Sequence, residues 1–230
     1  MVTFNAVEVI EHALASILRH RSSAVELVVI DGGSTDGTVD ILRRYDAQID
    51  YWKSEPDDGI YDAMNKVLEV ANGDWLLFLG ADDELLASPD TLLPRLVDAE
   101  TLYHGNVQIA GSDNFWGGRF SRYRLMQENI CHQAILYPRS VYRTRRYDTG
   151  CGILADHRYN IEVKGSGVRF VHLDLPVSLY NDRGRSSTGD KAFEAVKLVV
   201  IRDSFGCPWY LLKRFRNALV RQLKQIHGAA

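Results

Sequence analysis

The sequence predicts an α/β fold with a mostly parallel central sheet flanked by helices. Apolar runs of strand length alternate four times with helically periodic segments within the first 83 residues. Residues that favour tight turns follow several of these runs. Because ligands of parallel sheets gather beyond the carboxyl ends of the strands, acidic residues at those ends are the first candidates for a functional site.

The first predicted strand covers residues 2–4, and Asn5 is expected to cap the helix that follows. The apolar positions of that helix recur at helical spacing and are Ile10, Leu14, Ile17 and Leu18. This pair forms the first strand and helix unit.

The second predicted strand is the continuous run VELVVI at 25–30, which ends at Asp31. The turn sequence GGSTDG at 32–37 follows it, and a helix is predicted around 38–45. A short third strand is predicted near 49–52.

The clearest helix of the sequence comes after SEPDDG and is expected to end at Gly73. Its predicted apolar stripe consists of Ile60, Ala63, Met64, Val67, Leu68 and Ala71. The run WLLFL at 75–79 then reads as a fully buried strand that leads through Gly80 to Asp82 and Asp83. We therefore expect Asp31 and Asp83 to converge at one edge of the sheet.

The second half is less regular. It has a predicted strand near 101–107, a stretch rich in Gly and aromatic residues at 111–123, and a helix after Asp156. No internal repeat, low-complexity tract or Pro- or Ser-rich linker divides the sequence.

Composition limits the classes of function. Of the 230 residues, 46% are hydrophobic and 25% are charged, and the formal charge of −3 argues against a general nucleic-acid binder. The three cysteines are widely spaced without a CxxC pair, which favours a reducing, cytoplasmic location over zinc or redox chemistry. The N-terminus lacks the features of a signal peptide, and no stretch has the apolar length of a membrane span.

The adjacent carboxylates of Asp82 and Asp83 would repel each other at the end of a buried strand unless a cation or water compensates them. Mg²⁺ and Mn²⁺ prefer oxygen ligands and often bind through one or two carboxylates plus substrate phosphates. The alternative is a solvated turn with helix-capping aspartates. Asp31 either accepts hydrogen bonds from a base or ribose or belongs to an ordinary turn between strand and helix.

Six sequence blocks together resemble the family 2 glycosyltransferases of the GT-A fold, and especially bacterial surface-polysaccharide transferases. The resemblance extends to about residue 190. The blocks are VTFN at 2–5, VIDGGSTDGT at 29–38, SEPDDGIYDAMNK at 54–66, GDWLLFLGADDE at 73–84, ENICHQAILYPRSVY at 128–142 and ILADHRYNIEV at 153–163. Gly80 departs from the pattern, since many relatives carry a polar residue there.

The resemblance implies a nucleotide-diphosphate sugar as donor substrate and a divalent metal, Mn²⁺ or Mg²⁺, as cofactor. The residues that it assigns to the nucleoside are Thr3, Asn5 and Asp31. Those that it assigns to the donor pocket are Asp57, Gly59, Asp62 and Asn65. In the acidic pair, it implies that Asp83 binds the metal and that Asp82 touches the ribose or the donor sugar.

On the acceptor side, the resemblance implies that Asp156 is the general base of an inverting transfer, whereas an isolated Asp before a helix would be its N-cap. His132, with Gln133 beside it, matches a block near the acceptor. There an imidazole binds a phosphate, a metal or the acceptor sugar, or is structural. The implied catalytic domain covers 1–205, with a donor half at about 1–110 and an acceptor half at about 111–205.

The remaining segment, 206–230, is predicted to form a basic amphipathic helix. From Trp209 to Ile226 it combines apolar residues with five Lys and Arg residues and contains no acidic residue. Such a helix either lies on the anionic cytoplasmic face of the inner membrane, next to a lipid-linked saccharide acceptor, or packs on the catalytic domain.

Three other classes of protein remain as alternatives. A sugar-nucleotidyltransferase also uses aspartates and magnesium but usually opens with a Gly-rich basic loop, and the first 20 residues contain no glycine. A dinucleotide-dependent oxidoreductase requires GxGxxG after its first strand, and this chain has only GGSTDG after the second. A non-catalytic protein that binds nucleotide sugars is the third alternative. The sequence leaves uridine and guanosine donors equally open.

Overall fold

The computed structural model describes residues 1–181 and 191–227, with the side chains of 191–192 and 224–227 excluded. The predicted α/β architecture is confirmed. The first half forms a three-stranded parallel sheet, and most of the remaining chain is organised around a six-stranded mixed sheet. Predictions for 182–190 and for 228–230 lie outside the described residues.

The first sheet has the order β1-β2-β3, with all pairs parallel. Its strands are β1 (Val2–Thr3), β2 (Val28–Asp31) and β3 (Tyr51–Ser54). The helices that follow these strands are α1 (Ile10–Leu18), α2 (Thr38–Arg44) and α3 (Ile60–Val70). Each predicted unit of strand and helix is therefore present, with boundaries shifted by a few residues.

The second sheet has the order β4-β8-β6-β9-β5, and β7 pairs with β6. Its strands are β4 (Trp75–Leu77), β5 (Glu84–Leu85), β6 (Leu102–Ile109), β7 (Phe115–Trp116), β8 (Ile135–Pro138) and β9 (Phe170–Tyr180). Only β6 and β9 are parallel in this sheet, and its other pairs are antiparallel. The helices of this half are α4 (Pro89–Leu92), α5 (Arg122–Gln127), α6 (Arg139–Tyr142), α7 (Ala155–Gly165), α8 (Lys191–Phe205) and α9 (Cys207–His227).

A parallel bridge between Val2 and Gly80 joins the two sheets. In the first sheet, Thr3 lies opposite Asp31. The carboxyl ends of β2 and β1 and the segment after β4 therefore lie side by side, as predicted. Asp31 thus ends the strand next to β1 on one side, and Gly80, just before the acidic pair, lies next to β1 on the other.

β2 is buried on both faces. Val28 and Ile30 pack in a core with α3, α5 and α7, whereas Leu27 and Val29 pack in a second core with α1 and α2. Side chains alternate between the two faces of a strand. A strand covered by helices on both faces is apolar at successive positions, which explains the run LVVI at 27–30, whereas Glu26 before it is exposed.

Three local predictions were wrong. Asn5 does not cap α1, which begins at Ile10 without a side-chain cap, because the Asn5 side chain instead accepts a hydrogen bond from the Thr35 backbone. Ile60 is 47% exposed, because the first turn of α3 directs the neighbouring Tyr61 and Ala63 to the core instead. That helix ends at Val70 because Ala71 has extended dihedral angles, so Gly73 does not end it.

The fourth predicted strand is shorter than the WLLFL run. β4 contains three half-buried residues, and only the following Phe78 and Leu79 are fully buried. Its antiparallel partner β8 ends at Pro138, opposite Trp75. Within the described residues, no helix is long and apolar enough to cross a membrane.

Candidate active site

Asp31 organises the loop that follows β2, which we call the β2 turn (residues 31–38). The Asp31 side chain is fully buried. Its Oδ2 accepts hydrogen bonds from the Gly33 and Ser34 backbone amides at 3.1 and 2.9 Å and from the Ser54 hydroxyl at 2.6 Å. Its Oδ1 accepts from the Ser34 hydroxyl at 2.5 Å. Three of these donors meet Oδ2 and one meets Oδ1, so the turn itself and Ser54 hold the carboxylate in a fixed orientation. Direct contact with a nucleoside stays a prediction.

Thr3 and Asn5 lie beside this turn. The Thr3 hydroxyl is buried without a hydrogen-bond partner among the described residues, and Thr3 lies opposite Asp31 in the sheet. Asn5 closes the turn: its amide NH donates to the Ser34 hydroxyl at 2.7 Å and its Oδ1 accepts from Thr35 at 3.0 Å. The unpaired Thr3 hydroxyl is thus the polar group at this edge that still lacks a partner.

Asp57 and Gly59 approach the β2 turn from the segment after β3. A Cβ atom at Gly32 would lie 2.5 Å from Asp57 Oδ2, so the carboxylate sits directly against the turn. Asp57 Oδ1 accepts a hydrogen bond from Gly59 N at 2.9 Å. Gly59 has φ of 110°, a conformation that L residues rarely adopt, and this bend leads into α3.

Asp62 and Asn65 have other partners. Asp62 Oδ2 lies 3.4 Å from Lys66 Nζ on a partly exposed surface. Asn65 donates to the Tyr147 carbonyl at 3.0 Å and accepts from the Tyr147 amide at 2.8 Å. Both ends of the Asn65 side-chain amide therefore bind the Tyr147 backbone. Any influence of Asn65 on a donor pocket would be exerted through Tyr147.

Asp82 and Asp83 belong to a cluster of side chains that we call the acidic centre (Asp82, Asp83, His132 and Asp156). Asp83 is 2% exposed, and its carboxylate accepts from the Gly80 amide at 3.0 Å and the Asn181 amide at 3.3 Å. Asp82 is exposed. A Cβ atom at Gly80 would lie 2.8 Å from Asp83 Oδ2 and 3.0 Å from Asp82 Oδ1. Both carboxylates therefore converge above Gly80.

The electrostatics of Asp83 favour a bound cation. Burial raises the pKa of the Asp83 carboxyl above its ordinary value, and the negative charge of Asp82 raises it further. No group of three or more His, Cys, Asp or Glu side chains in the described residues is arranged to hold a metal by itself. One or two carboxylates completed by substrate phosphates is the usual arrangement for Mg²⁺, so this donor set fits such an ion.

A cleft of about 300 Å³ opens beside this pair. The residues that line it are Val9, His12, Ala13, Asp82, Asp83 and Glu84. The acidic pair is thus accessible from the side of α1.

Asp156 lies in the first turn of α7 and does not cap it, since Leu154 is the N-cap and makes no side-chain bond. Asp156 Oδ1 accepts from the Tyr61 hydroxyl at 3.0 Å and from His157 N at 2.8 Å. Its Oδ2 accepts from Asn129 Nδ2 at 2.8 Å. The fold therefore holds a nearly buried carboxylate in one fixed orientation.

His132 contacts Asp156 and lies within the electrostatic influence of Asp83 and Asp82. Its Nδ1 lies 3.5 Å from Asp156 Oδ2. Burial lowers the pKa of His132, but the contact with Asp156 and the charges of Asp156, Asp83 and Asp82 outweigh it, so the pKa is raised. The structure thus brings Asp82, Asp83, His132 and Asp156 into one electrostatic unit.

Tyr61, Asn129 and Asn160 belong to this site, although the sequence analysis gave them no role. Tyr61 is an aromatic residue at the start of an amphipathic helix and is easily taken for a core residue. Asn129 and Asn160 carry no spacing signal. Both lie inside sequence blocks that resemble the family, and this was the one available indication.

Comparison with known proteins assigns the chain to a family. The model for Glycosyl transferase family 2 matches residues 1–157. A PGL/p-HBAD biosynthesis glycosyltransferase of Mycobacterium tuberculosis is 37% identical over 206 residues, which cover 83% of this chain and 79% of that protein.

Two solved structures share the fold at low sequence identity. Staphylococcus aureus TarS 1–349 in complex with UDP-GlcNAc has a TM-score of 0.67 and 16% identity, covering 94% of this chain and 71% of that chain. The mannosyltransferase PcManGT from Pyrobaculum calidifontis, in complex with GDP-Man and Mn²⁺, has a TM-score of 0.61 and 18% identity, covering 94% and 62%. The chain spans 42% of a longer TarS structure. Since the family model covers more than half of the chain and the relative covers most of it, the chain belongs to glycosyl transferase family 2 and is a glycosyltransferase with the GT-A fold.

Proposed function

We propose that this glycosyltransferase moves a sugar from a nucleotide-diphosphate donor to a saccharide or lipid-linked saccharide acceptor in bacterial surface polysaccharide or glycolipid synthesis. The transfer depends on a divalent metal and inverts the anomeric carbon. The observation that carries the proposal is the buried carboxylate of Asp83, which converges with Asp82 above Gly80 and is linked through His132 to Asp156. The family assignment separates the chain from the sugar-nucleotidyltransferases and from non-catalytic binders.

The donor is assigned to the edge between the two halves of the molecule. Thr3 offers the unpaired hydroxyl to the nucleoside, and the β2 turn, with Asp31 inside it, shapes the surface that the nucleoside meets. Asp57 and Gly59 form the opposite wall. The complexes of TarS with UDP-GlcNAc and of PcManGT with GDP-Man support a nucleotide sugar as the donor class.

The diphosphate is assigned to the acidic pair. Asp83 would hold Mn²⁺ or Mg²⁺, and Asp82 would contact the ribose or the donor sugar. A bound divalent cation supplies positive charge that stabilises the leaving diphosphate. Two aspartates without that charge would repel a phosphate, so the acidic pair itself argues for a metal.

Asp156 is assigned the role of general base. As the acceptor oxygen bonds to the anomeric carbon, the bond from that carbon to the diphosphate breaks, and the acceptor proton passes to the Asp156 carboxylate. Attack from the side opposite the leaving group inverts the configuration. Tyr61 and Asn129 hold the carboxylate for this step, and His132 lines its approach.

The C-terminal helix α9 is assigned to the cytoplasmic face of the inner membrane, as a unit separate from the catalytic part at 1–205. Its beginning packs on the protein through Trp209, and Lys213 donates to Gln127 at 2.9 Å. Beyond that point Phe215 is 70% exposed, and Leu219 and Leu223 are also exposed. An apolar stripe with basic neighbours fits an anionic bilayer, which would bring the site to a lipid-linked acceptor. Lys224 and Ile226 belong to the predicted helix, but their side chains lie outside the described set.

The membrane assignment is tested by flotation with vesicles that contain phosphatidylglycerol and with neutral vesicles. Wild-type protein should float with the anionic vesicles, and Phe215→Ser with Leu219→Ser should not. Equal recovery of both proteins would place α9 elsewhere.

The donor assignment is tested by calorimetry with UDP, GDP and dTDP sugars, in Mn²⁺ and then in chelator. We expect one nucleotide to bind only with metal and Asp83→Asn to abolish that binding. Asp74→Asn is the matched control, because it makes the same chemical change at an exposed position at the opposite end of β4. Binding that survives in chelator and in Asp83→Asn would exclude the metal role.

A further inference from the structure

The Oδ2 atom of Asp156 has an acceptor position left for a substrate. A carboxylate offers about four such positions, two on each oxygen. Within the described part of the chain, Oδ1 accepts from the Tyr61 hydroxyl and from His157 N, and Oδ2 accepts from Asn129 Nδ2. His132 Nδ1 faces Oδ2 at 3.5 Å, which is too long for a normal hydrogen bond. The Tyr61 hydroxyl has one proton, which it shares between Oδ1 and the Ile153 carbonyl at 2.7 Å. Two donor groups therefore face Oδ1, whereas one, Asn129, is bonded to Oδ2.

We propose that Asn129 is a positioning residue that fixes Asp156 so that Oδ2, on the side of His132, is the atom that receives the acceptor's proton. This inference rests on the proposed role of Asp156 as general base. Without Asn129 the carboxylate could rotate about χ2 and lose its alignment with the acceptor hydroxyl. Misplacement of a reacting group by about 1 Å can reduce a rate by two orders of magnitude.

A string of buried side chains holds Asn129 in this orientation. Asn129 Oδ1 accepts from Asn160 Nδ2 at 2.9 Å, and Asn160 Oδ1 accepts from the Tyr137 hydroxyl at 2.8 Å. Asn160 and Tyr137 are 0% and 1% exposed, so water does not compete for these bonds. The string therefore connects β8 with the catalytic carboxylate.

The charge of Asp156 determines which group donates in each hydrogen bond of this series. An ionised carboxylate only accepts hydrogen bonds, so Asn129 must present Nδ2 to it. The oxygen of Asn129 must then face Asn160, which must present its own Nδ2, and Tyr137 must donate to the remaining oxygen. Consecutive hydrogen bonds that point the same way polarise and strengthen one another. Each amide thus has a single orientation that satisfies all of its neighbours.

The position of Asn160 on α7 supports the same conclusion. Asp156 and Asn160 are four residues apart, so their side chains lie on one face of the helix. Asn129, in the loop after α5, makes one hydrogen bond to Asp156 and one to Asn160. Any movement of this loop relative to α7 would have to break both bonds.

A purely structural role for Asn129 predicts a different outcome. If it only holds the loop on α7, its removal should lower the melting temperature and weaken donor binding together. If it positions Asp156, its removal should lower kcat and leave the donor affinity unchanged. The effect should also depend on the presence of the Asp156 carboxylate.

The test measures metal-dependent hydrolysis of the nucleotide sugar that calorimetry selects, with water as acceptor and with enzyme in excess so that slow variants remain measurable. We expect Asn129→Ala to lower the single-turnover rate 10- to 100-fold, with donor Kd within twofold of wild type. In an Asp156→Asn background the same change should lower the rate less than twofold. Asn114→Ala, an exposed asparagine in the loop between β6 and β7, is the control.

An equal loss in both backgrounds, or a loss of rate that follows donor affinity, would overturn the positioning role. Full activity of Asp156→Asn alone would instead refute the proposed base, which keeps the two failures distinguishable. If Asn129→Ala folds poorly, Asn129→Ser serves the same comparison.

Discussion

The β2 turn and the acidic centre use buried carboxylates in opposite ways. Asp31 receives four hydrogen bonds from its own neighbourhood. Asp83 receives two backbone bonds and lies beside a second carboxylate, and burial and that neighbour raise its pKa. Burial of a carboxylate alone therefore does not identify it as a functional acid. The hydrogen-bond donors and charges around the carboxylate have to be considered as well. The turn supplies most of the donors to its own carboxylate, whereas among the described residues the acidic centre combines three carboxylates with one imidazole.

The largest expected effect is on the rate. Asp156→Asn removes the proposed base but preserves size, so single-turnover transfer should fall about 1000-fold, within the range typical of general bases. Donor Kd from calorimetry should stay within twofold. A variant that transfers at the wild-type rate would show that the proton leaves by another route.

The next effect concerns stability in the β2 turn. Asp31→Ala leaves the Gly33 and Ser34 amides and the Ser54 hydroxyl without their acceptor, which should lower the free energy of unfolding by about 3 kcal/mol. For a chain of this length the melting temperature should fall by about 6–12 °C. Asp36→Ala, at the exposed end of the same turn, should cost less. An unchanged melting temperature of Asp31→Ala would remove the contrast between the two regions.

In the acidic centre, removal of the Asp83 charge should raise the melting temperature, whereas removal of the Asp31 side chain lowers it. Because the pKa of folded Asp83 is raised, the protonated form favours the fold below the unfolded carboxyl pKa, and this advantage is lost as pH rises through the folded value. At pH 7 the ionised side chain therefore destabilises the metal-free protein. Asp83→Asn should melt about 2 °C or more higher in chelator at pH 7, with no gain below pH 3.8. A lower melting temperature at pH 7 would contradict the interpretation.

The smallest effect is expected at Thr3. Thr3→Val replaces a buried hydroxyl that lacks a partner among the described residues by a methyl group of similar size. Removal of an unpaired polar atom should leave stability unchanged or raise it by about 1 kcal/mol. If the hydroxyl meets the nucleoside, donor Kd should rise several-fold at the same time. Unchanged affinity would leave the β2 turn without its proposed contact.

The sequence predicted those parts of the fold that depend on local patterns. The apolar run of β2 and the stripe of α3 gave the correct elements, and Asp83 was placed correctly because a strand and a turn precede it. The hydrogen-bond partners of Asp156 could not be predicted from local patterns, since Tyr61 lies 95 positions away in the sequence. Three of the four donors to Asp31 come from Gly33 and Ser34 in the turn that follows it, and that part of its environment is local. Asp83 instead meets the Asn181 amide and the Gln133 side chain, which are distant in the sequence, so its environment arises only when these segments are packed together.

Gly32 shows how such packing limits the residues that the sequence can accept at one position. A Cβ atom there would meet Asp57 at 2.5 Å, whereas the backbone of Gly32, unlike that of Gly33, does not have positive φ. In a saturation library, position 32 should therefore disfavour alanine while position 57 is Asp, because the Asp57 carboxylate would have to move from its bond with Gly59 N. It should regain tolerance when position 57 is shortened to Gly. The residue that is allowed at position 32 would then depend on the residue at position 57.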